Sequence, residues 1–324
     1  MMKSEAMGRS IALVLLALSL AAVVGPAPLP AQSPAGATSQ EPSGSAGPTA
    51  EELAALRRAV EQDLDNADKR LRFAKALIAA GRIGPAMDQL DEALDRDPGN
   101  AEGHAYLGLC YQLRGRPEDA VAAYRRALEL DPDLFAAHNA LAVLLIANGE
   151  DGEARGHLER AIALEPDAVE PRLELARLLV RGGRFEDALA RLDEAAEGPG
   201  RSDPRVGYAL ALLLAACPRE AVCDPERALA LADALYRAQP TPGNAQLLAL
   251  ALGAAGRWDE AVQVQGELIT VAEKAGLGGE IVERMRRTLE AFERHERPDE
   301  LFDLLGVGLG GSGGSAGAGS SPPG

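Results

Sequence analysis

Four histidines and three cysteines are the residues with which this chain could ligate a metal or run nucleophilic chemistry. His104 and His138 lie 34 residues apart. If that spacing puts them on stacked helices, about 10 Å separates those helices, whereas zinc needs nitrogens at about 2.0 to 2.1 Å. Packing is the reading for both. His157 and His295 have no second His or Cys at ligand spacing. There is no HExxH, and no Ser or Cys nucleophile is paired with a base. Acids such as Glu118 and Asp119, or Glu186 and Asp187, open amphipathic stretches, where carboxylates favour the positive end of a helix dipole. The sequence therefore gives no catalytic residue, no metal site and no cofactor site.

Two glycine motifs near the C-terminus look like chemistry. Gly306, Gly308 and Gly311 match a dinucleotide-binding GxGxxG, and Gly310, Ser312 and Gly314 match a nucleophile elbow. The first needs a strand before it and a helix after it, and the second a strained strand-to-helix turn. The surrounding residues are almost wholly Gly, Ser, Ala and Pro, so both matches are low-complexity coincidences.

Among 324 residues, 47% are apolar and 3% aromatic, and the apolar share is mostly Ala and Leu. That composition favours helix and excludes an all-β sandwich or barrel. Asp and Glu outnumber Lys and Arg by 49 to 33, for a net charge of −16. No stretch concentrates the basic surface that phosphate neutralisation needs, so nucleic acid is not an expected partner.

Lys3 and Arg9 precede an apolar run over residues 11–24, followed by Gly, Pro and Ala. These are the three regions of a secretory signal peptide, here residues 1–31, with cleavage near Ala27 or Ala31. As an uncleaved anchor the run would span only about 21 Å of a hydrocarbon core about 30 Å thick. The expectation is an exported protein, periplasmic or secreted, with no stable membrane span after cleavage. Residues 32–48 read as a flexible Pro/Ser/Gly linker, and residues 297–324 as a short helix with a disordered Gly/Ser tail.

The elements that would position any site come from a 34-residue period. Ala86, Ala120, Ala154 and Ala188 keep it, as do Ala93, Ala127, Ala161 and Ala195. So do Gly81, Gly115, Gly149 and Gly183, and the small residues Ala74, Gly108, Ala142 and Ala176. Leu90, Tyr124, Leu158 and Leu192 form a large column, and Pro98, Pro132 and Pro166 close three units. Each unit reads as a helix, a glycine turn, a second helix and a proline stop. Small columns let paired helices approach, large columns fill the space between them, and exposed apolar faces force the units to stack.

This pattern resembles the tetratricopeptide repeat, with small residues at repeat positions 8, 20 and 27 and Pro at 32. Residues 101–134 come close to that consensus throughout, although His104 and His138 occupy position 4, where Trp is usual. The resemblance implies an all-α, right-handed superhelical solenoid over residues 49–296. It comprises a leading half repeat, 49–66, opened by a Thr49/Glu52 capping box. Repeats follow at 67–100, 101–134, 135–168, 169–202, 203–240 and 241–272. A capping helix at 279–296 turns Ile281, Met285, Leu289 and Phe292 inward.

By the same resemblance, the function is protein–protein interaction through a concave groove that takes a protein or extended peptide. The alternative is a structural or accessory subunit of an envelope enzyme complex that uses its convex face. The groove positions give Lys75, Tyr106, Leu109, Asn139, Val143, Arg177 and Arg181. Tyr106 would anchor, Asn139 would hydrogen-bond main chain, and the cations would favour some acidic side chains. Relatives that clamp a C-terminal carboxylate need Lys, Asn and Arg where this chain has Leu71, Lys75, Tyr106, Ala136 and Ala140, so that activity is not carried over. Cys110 should be buried and inert. Cys217 and Cys223 invite a disulfide in an oxidising compartment. The alternative is two unrelated thiols whose helix-to-loop geometry disfavours a bridge.

Overall fold

The computed structural model describes residues 47–219 and 221–298; the proposed signal peptide, nearly all of the linker, the tail and both glycine motifs lie outside them. Among the described residues there are fourteen α-helices and no strand. They are α1 (Ala50–Glu61), α2 (Ala67–Ala79), α3 (Ile83–Arg96), α4 (Ala101–Leu113), α5 (Pro117–Leu130), α6 (Phe135–Asn148) and α7 (Asp151–Leu164). Then come α8 (Glu170–Arg181), α9 (Phe185–Glu197), α10 (Pro204–Ala216), α11 (Pro225–Ala238), α12 (Pro242–Ala254), α13 (Trp258–Lys274) and α14 (Gly279–Glu293). The described residues form two compact units that divide between Pro171 and Arg172, in the first turn of α8.

Local chemistry sets the helix ends. Thr49 Oγ1 accepts from Glu52 N at 3.2 Å while Glu52 Oε2 accepts from Thr49 N at 2.7 Å, a reciprocal capping box. The Asn66 and Asn100 side chains accept from Lys69 N and Gly103 N, and Asp224 and Thr241 do the same for α11 and α12. Between paired helices the glycine column (81, 115, 149, 183, 256) has φ of 67 to 79°. At each, two reversed hydrogen bonds close the preceding helix, as when Gly115 N donates to Gln112 O and Arg116 N to Tyr111 O. Only residues tolerant of a left-handed backbone fit there.

In the first unit successive helices from α1 to α7 pack on one another, and α1 to α4 enclose a cluster that includes Leu71, Phe73, Ala74, Leu77, Ala86 and Leu90. Ala86, Ala120, Ala154 and Ala188 are fully buried. Gly108 shows why such columns are small: a Cβ there would lie 2.9 Å from the Tyr124 ring. Ala120→Leu is accordingly expected to destabilise the first unit by about 1 to 3 kcal/mol through overpacking. Arg125→Ala removes exposed ion pairs to Glu153 and Glu150 and should cost less than about 1 kcal/mol. Chemical denaturation of both variants measures the difference.

In the second unit α10 to α14 pack in succession around Leu212, Leu214, Leu247, Leu250, Leu252 and Phe292. The capping helix corrects one expectation. Ile281 is 48% exposed and Val282 is buried, so the inward stripe is Val282, Met285, Leu289 and Phe292. Spacings of three, four and three hold one helical face, and Ile281 falls beside it. Gln265 of α13, wholly buried where the repeat would carry an aromatic residue, donates from Nε2 to Met285 O at 2.9 Å and ties α14 down by its backbone.

Candidate functional site

In the first unit the first helices of three repeats, α2, α4 and α6, carry Lys75, Leu109 and Val143 at one repeat position, 34 residues apart. All three are half-buried. Lys75 and Tyr106 are brought together across adjacent repeats, with the ammonium 4.9 Å from the ring centroid. Lys75 Nζ also donates to Glu102 Oε1 at 2.5 Å. Burial pulls the Lys75 ammonium down, but the Glu102 hydrogen bond and the neighbouring negative groups outweigh it and hold its pKa above the usual lysine value. Burial raises the Tyr106 hydroxyl, against the opposing pull of Lys75.

These contacts change the expected charge of the groove. Lys75 carries Glu102 as its counter-ion, and Arg177 of α8 pairs with Glu174 at 3.0 Å. Lys75 and Arg177 are thus locally balanced. Arg177 is exposed and Arg181, in the last turn of α8, is half-buried; both belong to the second unit. Asn139 of α6 is 4% exposed, and its Oδ1 has no hydrogen-bond partner among the described residues. A buried amide oxygen without a donor is costly, and native folds retain few of them.

The position-4 histidines have a structural task that spacing did not reveal. His104 Nε2 lies 3.2 Å from Pro98 O and His138 Nε2 lies 2.9 Å from Pro132 O, so each ring closes the turn before its own helix. His138 also meets His157 of α7, Nδ1 to Nδ1 at 2.8 Å, with ring centroids 5.0 Å apart. Spacing along the chain gives His157 no partner. The available signal was its offset of 19 residues, which carries a position in the first helix to one facing it in the second; His104 has Ala123 there and no ring partner.

Cys110 is buried, and burial followed by the Asp91 charge pushes its thiol up to about 11, which keeps it a thiol at neutral pH. Cys217, at the C-terminal cap of α10, and Cys223 are both free thiols here. Cys223 Sγ donates to Cys217 O at 2.7 Å, and Cys217 Sγ accepts from Arg219 N at 3.4 Å. Among the described residues no group of three or more His, Cys, Asp or Glu could hold a metal ion, and no helix is long and apolar enough to cross a membrane.

Tetratricopeptide-repeat family models match residues 101–134, 123–156 and 152–213. No curated protein matches the chain. Among solved structures, YrrB, a TPR protein with an unusual peptide-binding site, is similar at 22% identity and a TM-score of 0.50, over 63% of this chain and 98% of that one. Pseudomonas aeruginosa PilF is similar at 22% identity and a TM-score of 0.51, over 59% of this chain and 84% of that one. Identities at this level speak for the fold. Residues 101–213 are tetratricopeptide repeats, and the described residues form an all-α helical-repeat solenoid.

Proposed function

We propose that this protein is an interaction scaffold without catalysis of its own, and that the first helices of its first unit receive an extended peptide. The orphaned Asn139 Oδ1 carries this reading, because a main-chain N–H of a bound strand would supply the missing donor. Leu109 and Val143 offer apolar contact on the same column, and Tyr106 is the anchor. YrrB, which shares the fold, has a peptide-binding site, and that supports the reading. Since Glu102 and Glu174 already balance Lys75 and Arg177, the favoured peptide is apolar with few acidic side chains.

The test uses peptides selected by phage display on the full chain. Asn139→Leu keeps the volume and removes the orphan. It should leave the fold as stable or stabilise it by about 1 kcal/mol, and should abolish binding of the selected peptides. Tyr106→Ala should weaken binding at least about tenfold, as hot-spot aromatics do. Undiminished binding by both variants would remove the groove from the account.

Export is the second part of the proposal, carried by the charged, apolar and small-residue regions of residues 1–31. In an oxidising compartment, the adjacent Cys217 and Cys223 thiols would bridge. Protein recovered from an export-competent cell should begin near residue 28 or 32. After denaturation without reductant it should alkylate at Cys110 alone. Three alkylated cysteines by mass would exclude the bridge, and an intact Met1 would exclude cleavage.

A further inference from the structure

The contact between His138 and His157 has room for one proton. Pro132 O can only accept, so the hydrogen-bond network assigns a proton to His138 Nε2. A neutral His138 then presents the lone pair of Nδ1, and His157 Nδ1–H donates to it across 2.8 Å. His157 Nε2 is left bare, 3.7 Å from Glu153 Oε1. His138 is 8% exposed and the His157 side chain 19%, so water does little to relax the arrangement.

We propose that this pair is a proton-operated latch on the α6–α7 helix pair, closed when one proton lies between the rings and opened when both rings are fully protonated. A first added proton goes to His157 Nε2, and Glu153 can receive the resulting cation without disturbing the Nδ1 contact. The remaining vacant nitrogen is His138 Nδ1, inside that contact. A second proton therefore sets two N–H groups and two positive rings against each other at 2.8 Å, and the helices must part.

The charged groups around the latch determine where it responds. Arg125 of α5 lies near, held to Glu153 at 3.0 Å and to Glu150 at 3.9 Å, so Glu153 is shared and only partly available to His157. Asp133, in the turn beside Pro132, is engaged by Arg160 of α7. Burial, then the His138 ring, lower the His157 pKa, and Glu153 only partly offsets them. The unfolded chain, with histidine near 6.5, then binds more protons than the folded one. Stability is complete above about pH 6.5 and falls as the pH drops through the lower folded value.

Asn139 follows His138 in α6, so the latch lies one residue from the orphaned amide. If the groove reading holds, peptide release in mild acid follows; the latch itself stands or falls without a peptide. The test is imidazole NMR of the full chain from pH 7.5 to 4.5, with amide hydrogen exchange. His157 should titrate below about 6.5, and its ring signals should move in two steps, the second marking a proton that enters the Nδ1 contact. Protection of α6 and α7 amides, corrected for intrinsic rate, should hold through the first step and fall severalfold relative to α2 and α3 in the second, at lower pH. His157→Gln, which can still donate to His138 Nδ1, should keep α6 and α7 protected at the pH where the wild-type chain opens. Independent single-step titrations, an unchanged protection ratio, or acid opening that persists in His157→Gln would each overturn the latch. Should that variant not fold, the wild-type titration and exchange decide alone.

Discussion

Phe292→Ala is expected to destabilise the second unit by about 3 to 5 kcal/mol, the range for emptying a fully buried aromatic site. Phe292 has no exposed surface and lies over Gly253, where a Cβ would approach its ring to 2.7 Å. It is therefore the side chain by which α14 seals the apolar end of α12 and α13. The chain's single tryptophan, Trp258, has its ring 6.4 Å from Phe292 and stacks on His295 at 5.6 Å, so its fluorescence reports whether α14 is docked. Urea titration followed at Trp258 should show the loss as a lower midpoint. Ile281→Ala, at a residue 48% exposed, should shift it by less than about 0.5 kcal/mol. Equal shifts would mean that the inward face of α14 is misassigned.

The next largest effect is expected at Gly108. Its Cβ position lies 2.9 to 3.1 Å from three atoms of the Tyr124 ring, and that ring is itself buried. Gly108→Leu should cost about 3 kcal/mol by overpacking. Gly108→Ala should cost less, because the gain of about 1 kcal/mol in helix propensity opposes the clash. The neighbouring repeats show how the space is shared: Ala74 with Leu90, Ala142 with Leu158 and Ala176 with Leu192. Gly108 with Tyr124 exchanges a smaller residue for a larger one at the same two positions. Gly108→Ala combined with Tyr124→Leu should therefore recover most of what either change loses alone, a coupling that a double-mutant cycle measures. Strict additivity would show that the two positions are not in contact.

The all-α repeat architecture was legible in the residues themselves, because a column of small residues every 34 positions is a direct requirement of helices that must approach closely. The glycine column was legible for the same kind of reason: a left-handed turn excludes most side chains, and the five φ values near 70° occupy those glycines. A requirement that few residue types satisfy leaves its mark in spacing.

Of the candidate site, spacing alone identifies which positions share a column: Lys75, Leu109, Val143 and Arg177 recur every 34 residues. It did not determine their partners. That Lys75 is neutralised by Glu102, 27 residues on, that His138 meets His157, 19 residues on, and that Val282 rather than Ile281 turns inward all depend on helix rotation and rotamer choice. The isolation of Asn139 Oδ1 is of the same kind, since it records the absence of a donor in three dimensions. Periodicity is a property of one chain read along its length and survives any small rotation of a helix. A hydrogen bond is decided within a few tenths of an ångström, and only packed helices define positions that finely.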